Sequence, residues 1–402
     1  MDVVFLSPSY PPEMQDYTRG LAEVGARVYG VGDGPPDPRV RPYLTDYLQV
    51  PGIMDEDDVI RRVFEWLRGR NVDRIEGIWE PLVILAARMR EAMGIPGMSV
   101  DTVRGFRDKQ LMKERVAAAG LRVPRSERVR SAAEIEAAAE RVGFPLILKP
   151  IDGAGSADTY RVDGPDELAR VIPKLRHITE ASCEEFIDGE EFTFDTVCVN
   201  GQPRYVNVAQ YLPRPLIART NEWISPVITT IRDLHQPKLR DGIALGMGVL
   251  KALNMGTGFT HMEWYLKSDG EVVFGEIGCR PGGAHLVDQM NCTSDIDLFR
   301  EWARCVCWES FDAPTERKYN AAIVFKRALG EGTIHTITGL RDYMARYGEW
   351  VATEQLLRPG QRRRDWTQTL VSDGFLIVRH PDWDTANAMA MKAATDITLH
   401  AG

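Results

Sequence analysis

Cysteine and histidine are scarce in this chain, six and seven among 402 residues, and no Cys-x-x-Cys pair occurs. Zinc-type ligand spacing is therefore absent, and so few cysteines over such a length do not build a disulfide framework. Long apolar runs are missing too. The longest, Leu82 to Ala87, has six residues, far short of the ~20 that span a bilayer. The opening MDVVFLSPSYPPE has no basic segment and meets Pro8 before a signal core could form. These absences predict a reduced, cytoplasmic protein with no membrane partner. Positive charge is in deficit, with 49 Lys and Arg against 58 Asp and Glu and a formal net charge of -9. Such a surface repels phosphate backbones, so nucleic acid is not an expected partner. The one dense basic run, Arg362-Arg363-Arg364, reads as a solvated loop. There is no Gly-x-Gly-x-x-Gly fingerprint for a dinucleotide, and no internal repeat or low-complexity tract.

What is present is an alternation of strand and helix signals. DVVFL (2–6), ARVYGVG and RIEGIWE read as strands, with helical patterns over 14–24 and 82–93. That order predicts a small parallel α/β sheet with helices on its faces. Asp108 is placed to cap the helix DKQLMKERVAAAG, which puts Lys109 in its first turn. A helix over 131–142, the strand LILK (146–149), the loop IDGAGSADT, the strand TYRV and a helix from Pro165 follow. Hairpins now mix with helices, which marks a boundary near 97–108 and an α+β middle. Asn200-Gly201 and Asp269-Gly270 each separate two alternating runs, as two-residue hairpin turns would. The last stretch opens with the strand AAIVFKRAL and ends with GFLIVRH and a helix over 385–399.

The Asp269-Gly270 turn permits a geometric deduction. A two-residue loop pairs Ser268 with Glu271, which sets Glu263 opposite Glu276 and His261 opposite Gly278. Opposed Cβ atoms lie about 4.5–5.5 Å apart, where like charges destabilise the sheet. His261, Glu263, Glu276 and Gly278, joined by Arg280, then share one face. Met262, Trp264, Leu266, Val273 and Ile277 form the other, a buried wall. Two readings are open: a solvated face with two incidental glutamates, or an oxygen-ligand site for a cation such as Mg²⁺. The glycines of GCRPGG admit a close ligand and Arg280 can clamp a phosphate bidentately, which favours the second.

Lys149 ends an apolar strand, where it either snorkels to solvent or meets an anion. Gly153-Ala154-Gly155-Ser156 follows, a loop whose small side chains would expose backbone N–H groups to phosphate, or a simple turn. Glu184, Glu185, Phe186 and Ile187 precede Glu191; the segment is either an ordinary strand entrance or the lining of a nucleobase pocket. Cys279 reads as a buried small hydrophobe, since no general base is assigned to it. In QYLPRPLIARTNEW, Arg214 and Arg219 read as solvent-facing rather than as carboxylate ligands. Glu80 reads as the cap of the helix that follows rather than as an amine ligand.

In order, RDK (107–109), PLILKP (145–150), GAGS (153–156), EEFIDGEE (184–191), HME (261–263) and EIGCRPGG (276–283) resemble the ATP-grasp superfamily of carboxylate–amine ligases. The likeness spans about residues 100–308, and the flanks agree in layout. It implies a Rossmann-like N-terminal domain over 1–100, an ATP-grasp domain over 101–312 with a lid at about 125–190, and a C-terminal α+β subdomain over 313–402. It further implies ATP and Mg²⁺, with Mn²⁺ as an alternative ion. Lys109, Lys149 and the loop residues Gly153, Gly155 and Ser156 would hold phosphates. Glu184, Phe186 and Ile187 would contact adenine, and Glu191 the ribose. Glu263 and Glu276 would be metal ligands, and Arg280 would grip the transferring group. His261 stands where D-alanine–D-alanine ligases carry a catalytic arginine, and Gly278 where many relatives carry a third metal ligand, Asn. Both departures look more like the bacterial L-amino-acid ligase branch. Asp158 stands at a frequent loop glycine, which bears on lid closure. The implied activity joins a small carboxylate to an amine through an acyl phosphate, with homodimerisation expected from the family. The alternatives are bicarbonate activation, as in biotin carboxylases, and an ATP-binding module without catalysis.

Overall fold

The computed structural model describes residues 1–151 and 158–402, so Gly153, Gly155 and Ser156 lie outside the described residues. Strands β1 (Asp2–Leu6), β2 (Arg27–Gly32), β3 (Asp46–Gln49) and β4 (Arg74–Glu76) form a parallel sheet in the order β3-β2-β1-β4. Every residue of β1 is buried, as a sheet covered on both faces requires. The sequence reading lacks β3 and the helix Glu56–Trp66. That helix carries a legible start: the Asp55 side chain accepts from the Asp58 N–H, and Glu56, Asp57 and Asp58 complement the dipole in its first turn. RIEGIWE is extended as a strand only over Arg74–Glu76.

A second sheet is antiparallel: β5 (Ser126–Val129), β6 (Leu146–Pro150), β7 (Tyr160–Val162) and β8 (Ala181–Glu185), in the order β5-β8-β6-β7. Alternation divides its faces. Leu146, Leu148, Ala181 and Cys183 pack with Ile135, Ala138 and Leu168 in a core of their own. Ile147, Lys149 and Glu184 point the other way, into a cavity.

The third sheet fills the centre of the chain with β9 (Glu190–Val199), β10 (Gln202–Leu212), β11 (Val227–Thr230), β12 (Gly258–Leu266), β13 (Val272–Gly278) and β14 (Asn320–Phe325). It runs on through β16 (Val351–Leu356) and β17 (Gly374–His380), in the order β13-β12-β9-β10-β11-β14-β17-β16. Strand β15 (Ile334–Thr338) pairs instead with β18 (Thr398–Ala401). The expected terminal helix over 385–399 is therefore shorter and earlier, Trp383–Asp396. Leu399 faces the core from a strand, not a helix.

The two hairpin signals resolve differently. At Asn200 and Gly201 both φ angles are positive, 49° and 76°, and Val199 pairs with Gln202. That is the expected two-residue turn. At the second, the Gly270 N–H donates to the Lys267 carbonyl (3.0 Å) and the Lys267 N–H to the Glu271 carbonyl (2.9 Å). The loop thus has three residues, ending on Gly270 at φ 88°, the usual partner of a type I turn. Register near the loop shifts by one, so Trp264 opposes Phe274. A bulge at Gly275 then absorbs the extra residue and returns Glu263 opposite Glu276 and His261 opposite Gly278. Glycine is needed there, because a Cβ on Gly275 would sit 2.8 Å from the Glu263 carbonyl oxygen. The buried wall changes accordingly: Phe274 joins Met262, Trp264 and Ile277, while Val273 pairs with Tyr265.

Candidate active site

Three neighbouring strands write the site as rows. Thr193, Glu263 and Glu276 are directly opposed across β9, β12 and β13, and so are Asp195, His261 and Gly278. Glu191 lies opposite Tyr265 in the next row. Because strand side chains alternate, all of these share one face. Glu263 is held above the usual carboxylate range by burial and by Glu276 beside it. Burial also opposes ionisation of Glu276, but Lys109 and Lys149 outweigh it and hold that carboxyl at about 2. Glu191 is pushed up to about 8 by burial and by Glu263, against Arg214. Carboxylates crowded in this way ask for a cation. Among the described residues no group of three or more His, Cys, Asp or Glu is arranged for a metal ion. The protein offers a pair of hard oxygen donors with positions left for water and phosphate oxygens, a set that fits Mg²⁺.

Lysines flank the pair. Lys109 Nζ lies 3.6 Å from Glu276 Oε2, and Lys149 Nζ lies 3.5 Å from the same atom. Lys109 is positioned as expected, in the first turn of a helix whose cap Asp108 accepts from Gln110 and Leu111 N–H groups. The Glu184 carboxylate sits between Lys149 and Lys113, 2.5 Å from Lys113 Nζ. Burial would raise Glu184, but the two lysines hold it below its ordinary value. Lys113 is absent from the sequence reading, although its place one turn after Lys109 puts both on one helix face. Phe186 and Ile187 line the same cavity with Ile147, Glu191, Tyr265 and Leu216. Arg214 is not solvent-facing: its Nε lies 3.1 Å from Glu191 Oε2, and its guanidinium lies 5.0 Å from the Phe186 ring.

His261 Nδ1 lies 2.5 Å from Asp195 Oδ1. The other Asp195 oxygen accepts from Thr193 Oγ1 (2.7 Å) and Asn207 Nδ2 (3.0 Å). Arg317 in turn donates to Asn207 Oδ1 at 2.8 Å. This chain fixes the ring and leaves Nε2 for the cavity that His261 lines. Asp195 is also absent from the sequence reading. The pattern Glu191, Thr193, Asp195 at every second position of β9 is the signal that could have found it.

Arg280 is ion-paired to Glu80, which also engages Arg107. Both Glu80 oxygens are taken by these arginines, so Glu80 is their ion-pair partner and not the expected helix cap. Gly278 makes room for this pair, since a Cβ there would meet Arg280 Cγ at 3.3 Å and Glu80 Oε2 at 3.5 Å. Cys279 is buried, and burial pushes its thiol up to about 12. Arg363, expected in a solvated loop, pairs with Glu222, Nη2 to Oε1 2.7 Å, and its side chain is only 7% exposed. A second cavity of about 630 Å³ opens on the far side of the carboxylate pair. His261, Glu263, Glu276, Arg280 and Trp79 line it, as do Arg219 and Arg327.

Two cavities meeting at paired glutamates, one roofed by a small antiparallel sheet, define an ATP-grasp fold. Its solved neighbours bear this out. An L-amino acid ligase from Bacillus licheniformis superposes with TM-score 0.82 at 20% identity, covering 100% of this chain and 98% of that one. An N5-carboxyaminoimidazole ribonucleotide synthetase from Thermotoga maritima does so with TM-score 0.72 at 18% identity, covering 100% and 99%. In sequence, the chain is 25% identical over 244 residues to an L-arginine-specific L-amino acid ligase of Bacillus subtilis. It is 28% identical over 185 residues to the N-terminal section of a carbamoyl phosphate synthase large chain of Aquifex aeolicus. These matches take in 59% and 45% of this chain, and span 58% and 33% of the two relatives' lengths. No protein-family model matches. The resemblance to ATP-grasp ligases read from the motifs therefore holds. Among the described residues, no helix is long and apolar enough to cross a membrane.

Proposed function

We propose that the protein is an ATP-dependent ligase that joins a small carboxylic acid to an amine, releasing ADP and phosphate. The observation that carries this reading is the partly buried, directly opposed pair Glu263–Glu276 lining both cavities, flanked by Lys109 and Lys149. ATP would bind at the cavity under β6 and β8, with its base beside Phe186 and Ile187 and its ribose toward Glu191. Glu263 and Glu276 would hold Mg²⁺, which neutralises charge on the phosphates during transfer. Lys109 and Lys149 orient the phosphate chain. The acid sits in the second cavity, where its carboxylate attacks the γ-phosphate and becomes an acyl phosphate oriented by Arg280. The amine then attacks the acyl carbon, phosphate leaves, and His261 Nε2 accepts the amine proton while Asp195 steadies the ring. The sheet β5–β8 covers the reacting groups and excludes water, which would hydrolyse the intermediate. Names of relatives support amino acids as substrates: an L-arginine-specific amino acid ligase is among them.

The test is phosphate release from Mg-ATP over paired acids and amines, with mass spectrometry of positive wells. The expected result is release that needs both partners and a product equal to their sum minus water. Release with bicarbonate alone overturns the proposal in favour of a carboxylating enzyme. ATP binding without release under any pair overturns it in favour of a non-catalytic module.

A further inference from the structure

The second cavity holds two arginines that the reaction above does not use. Arg327 follows β14 and is 9% exposed. Its Nη1 donates to the carbonyls of Ala218 and Asn221, both at 2.8 Å. Its guanidinium lies 4.5 Å from the Trp366 ring, and its Nε is buried with no hydrogen-bond partner. Arg219 comes from the helix Pro215–Thr220, and its one side-chain hydrogen bond among the described residues goes to the Thr367 carbonyl, 3.2 Å from Nη2. Both line the cavity that Glu263, Glu276 and His261 line.

Neither has a carboxylate within ion-pair distance among the described residues, although ion pairs are dense elsewhere in the molecule. The acids whose charge reaches Arg327 are Glu222 and Asp373, and both are engaged. Glu222 pairs with Arg363. Asp373 accepts from the Arg364 N–H (2.7 Å) and the Ala328 N–H (2.8 Å). Burial lowers the pKa of both arginines, and Arg219 lowers that of Arg327 further. A desolvated guanidinium whose N–H has no partner among the described residues, repelled by a second guanidinium, is costly. An anion entering the cavity would offset that cost, and the planar fork suits a carboxylate.

We infer that Arg219 and Arg327 form a subsite for a substrate carboxylate that the reaction does not consume. The inference rests on the ligase reading for the words substrate and reaction, but the subsite rests on the cavity itself. Two sources share this chemistry: the α-carboxylate of an amino acid serving as amine, and the second carboxylate of a diacid serving as acid. A mere staple role for Arg327, tying down the helix Pro215–Thr220, predicts no such selectivity.

The experiment measures kcat/KM for the standard amino acids and their α-amides as amines, and for glutamate and aspartate against glutamine and asparagine as acids. Wild type, Arg219→Gln and Arg327→Gln are compared. Equilibrium binding of the same compounds without ATP runs alongside. The expected result is a preference for carboxylate over amide in one series, which names the source. That ratio falls at least tenfold in each variant. Because the ratio is taken within one variant, loss of folded protein cancels. Equal handling of carboxylate and amide by wild type, or a ratio that both variants leave unchanged, overturns the inference. Selective binding that the variants abolish, with no turnover by any pair, keeps the subsite and overturns only the ligase reading.

Discussion

The two cavities treat charge in opposite ways. On the side under β6 and β8, Lys109, Lys113 and Lys149 pair with Glu276 and Glu184, and Arg214 pairs with Glu191. On the far side, where Arg280 and Arg107 share Glu80, Arg219 and Arg327 have no carboxylate in ion-pair distance among the described residues. In the first cavity the lysines and Arg214 each have a carboxylate of the chain beside them. Its network sets protonation states and holds lysines in place at the expense of desolvating them. The second keeps positive charge in reserve. A ligand that brings its own cation and phosphates suits the first, and a bare carboxylate suits the second.

The comparison can be broken at its strongest point first. Glu276→Ala removes the carboxylate that Lys109 and Lys149 share, and turnover should fall by roughly three orders of magnitude. Circular dichroism should show the fold intact; normal turnover in that protein would remove Glu276 from the chemistry. Next, Lys113→Met leaves Glu184 with one lysine in a buried setting, which costs about 3 kcal/mol. Arg219→Met removes a cation that answers no carboxylate and should cost under ~1 kcal/mol. Equal losses in urea unfolding would erase the contrast between the cavities.

Asp195→Asn should lower kcat about 10- to 100-fold while KM for ATP stays near wild type, because the change touches the His261 ring and not the nucleotide side. A shift confined to KM for ATP would argue against that role. The smallest effect concerns Glu80. Burial favours its neutral form, but Arg280 and Arg107 win and hold it below the ordinary glutamate value. Its contribution to stability is therefore full above about pH 4.3 and is lost as pH falls through the lowered value. Glu80→Gln should flatten that acid limb in melting temperatures measured across it; an unchanged limb would show that the arginines are answered elsewhere.

Much of the site is legible along the chain because it is written in strand periodicity. Glu263, Glu276, His261 and Gly278 could be aligned from one turn signal, even though the loop has three residues and not two. Two local departures cancel there, the longer loop and the bulge at Gly275, and the deduction survives because the bulge precedes the functional row. Val273 lies between loop and bulge, and so it falls on the wrong side of the deduced wall. Lys113 and Asp195 carried the same kinds of signal, helical and strand spacing, and needed only to be followed. Glu80, Arg214 and Arg363 are different. Each looked like a terminal or loop charge, and each is ion-paired to a partner far away in sequence: Arg280, Glu191 and Glu222.

The sequence by itself determined which residues share a strand or helix face, and so which chemistry the carboxylate rows can support. Periods of two and 3.6 are local properties of the backbone, and no packing is needed to express them. Tertiary structure alone decided which charges lost water and which found a counter-ion. Desolvation and pairing depend on what the rest of the chain brings within a few ångströms, and Arg327, buried beside Trp366 with no carboxylate in ion-pair distance among the described residues, is the residue where that decision shows most.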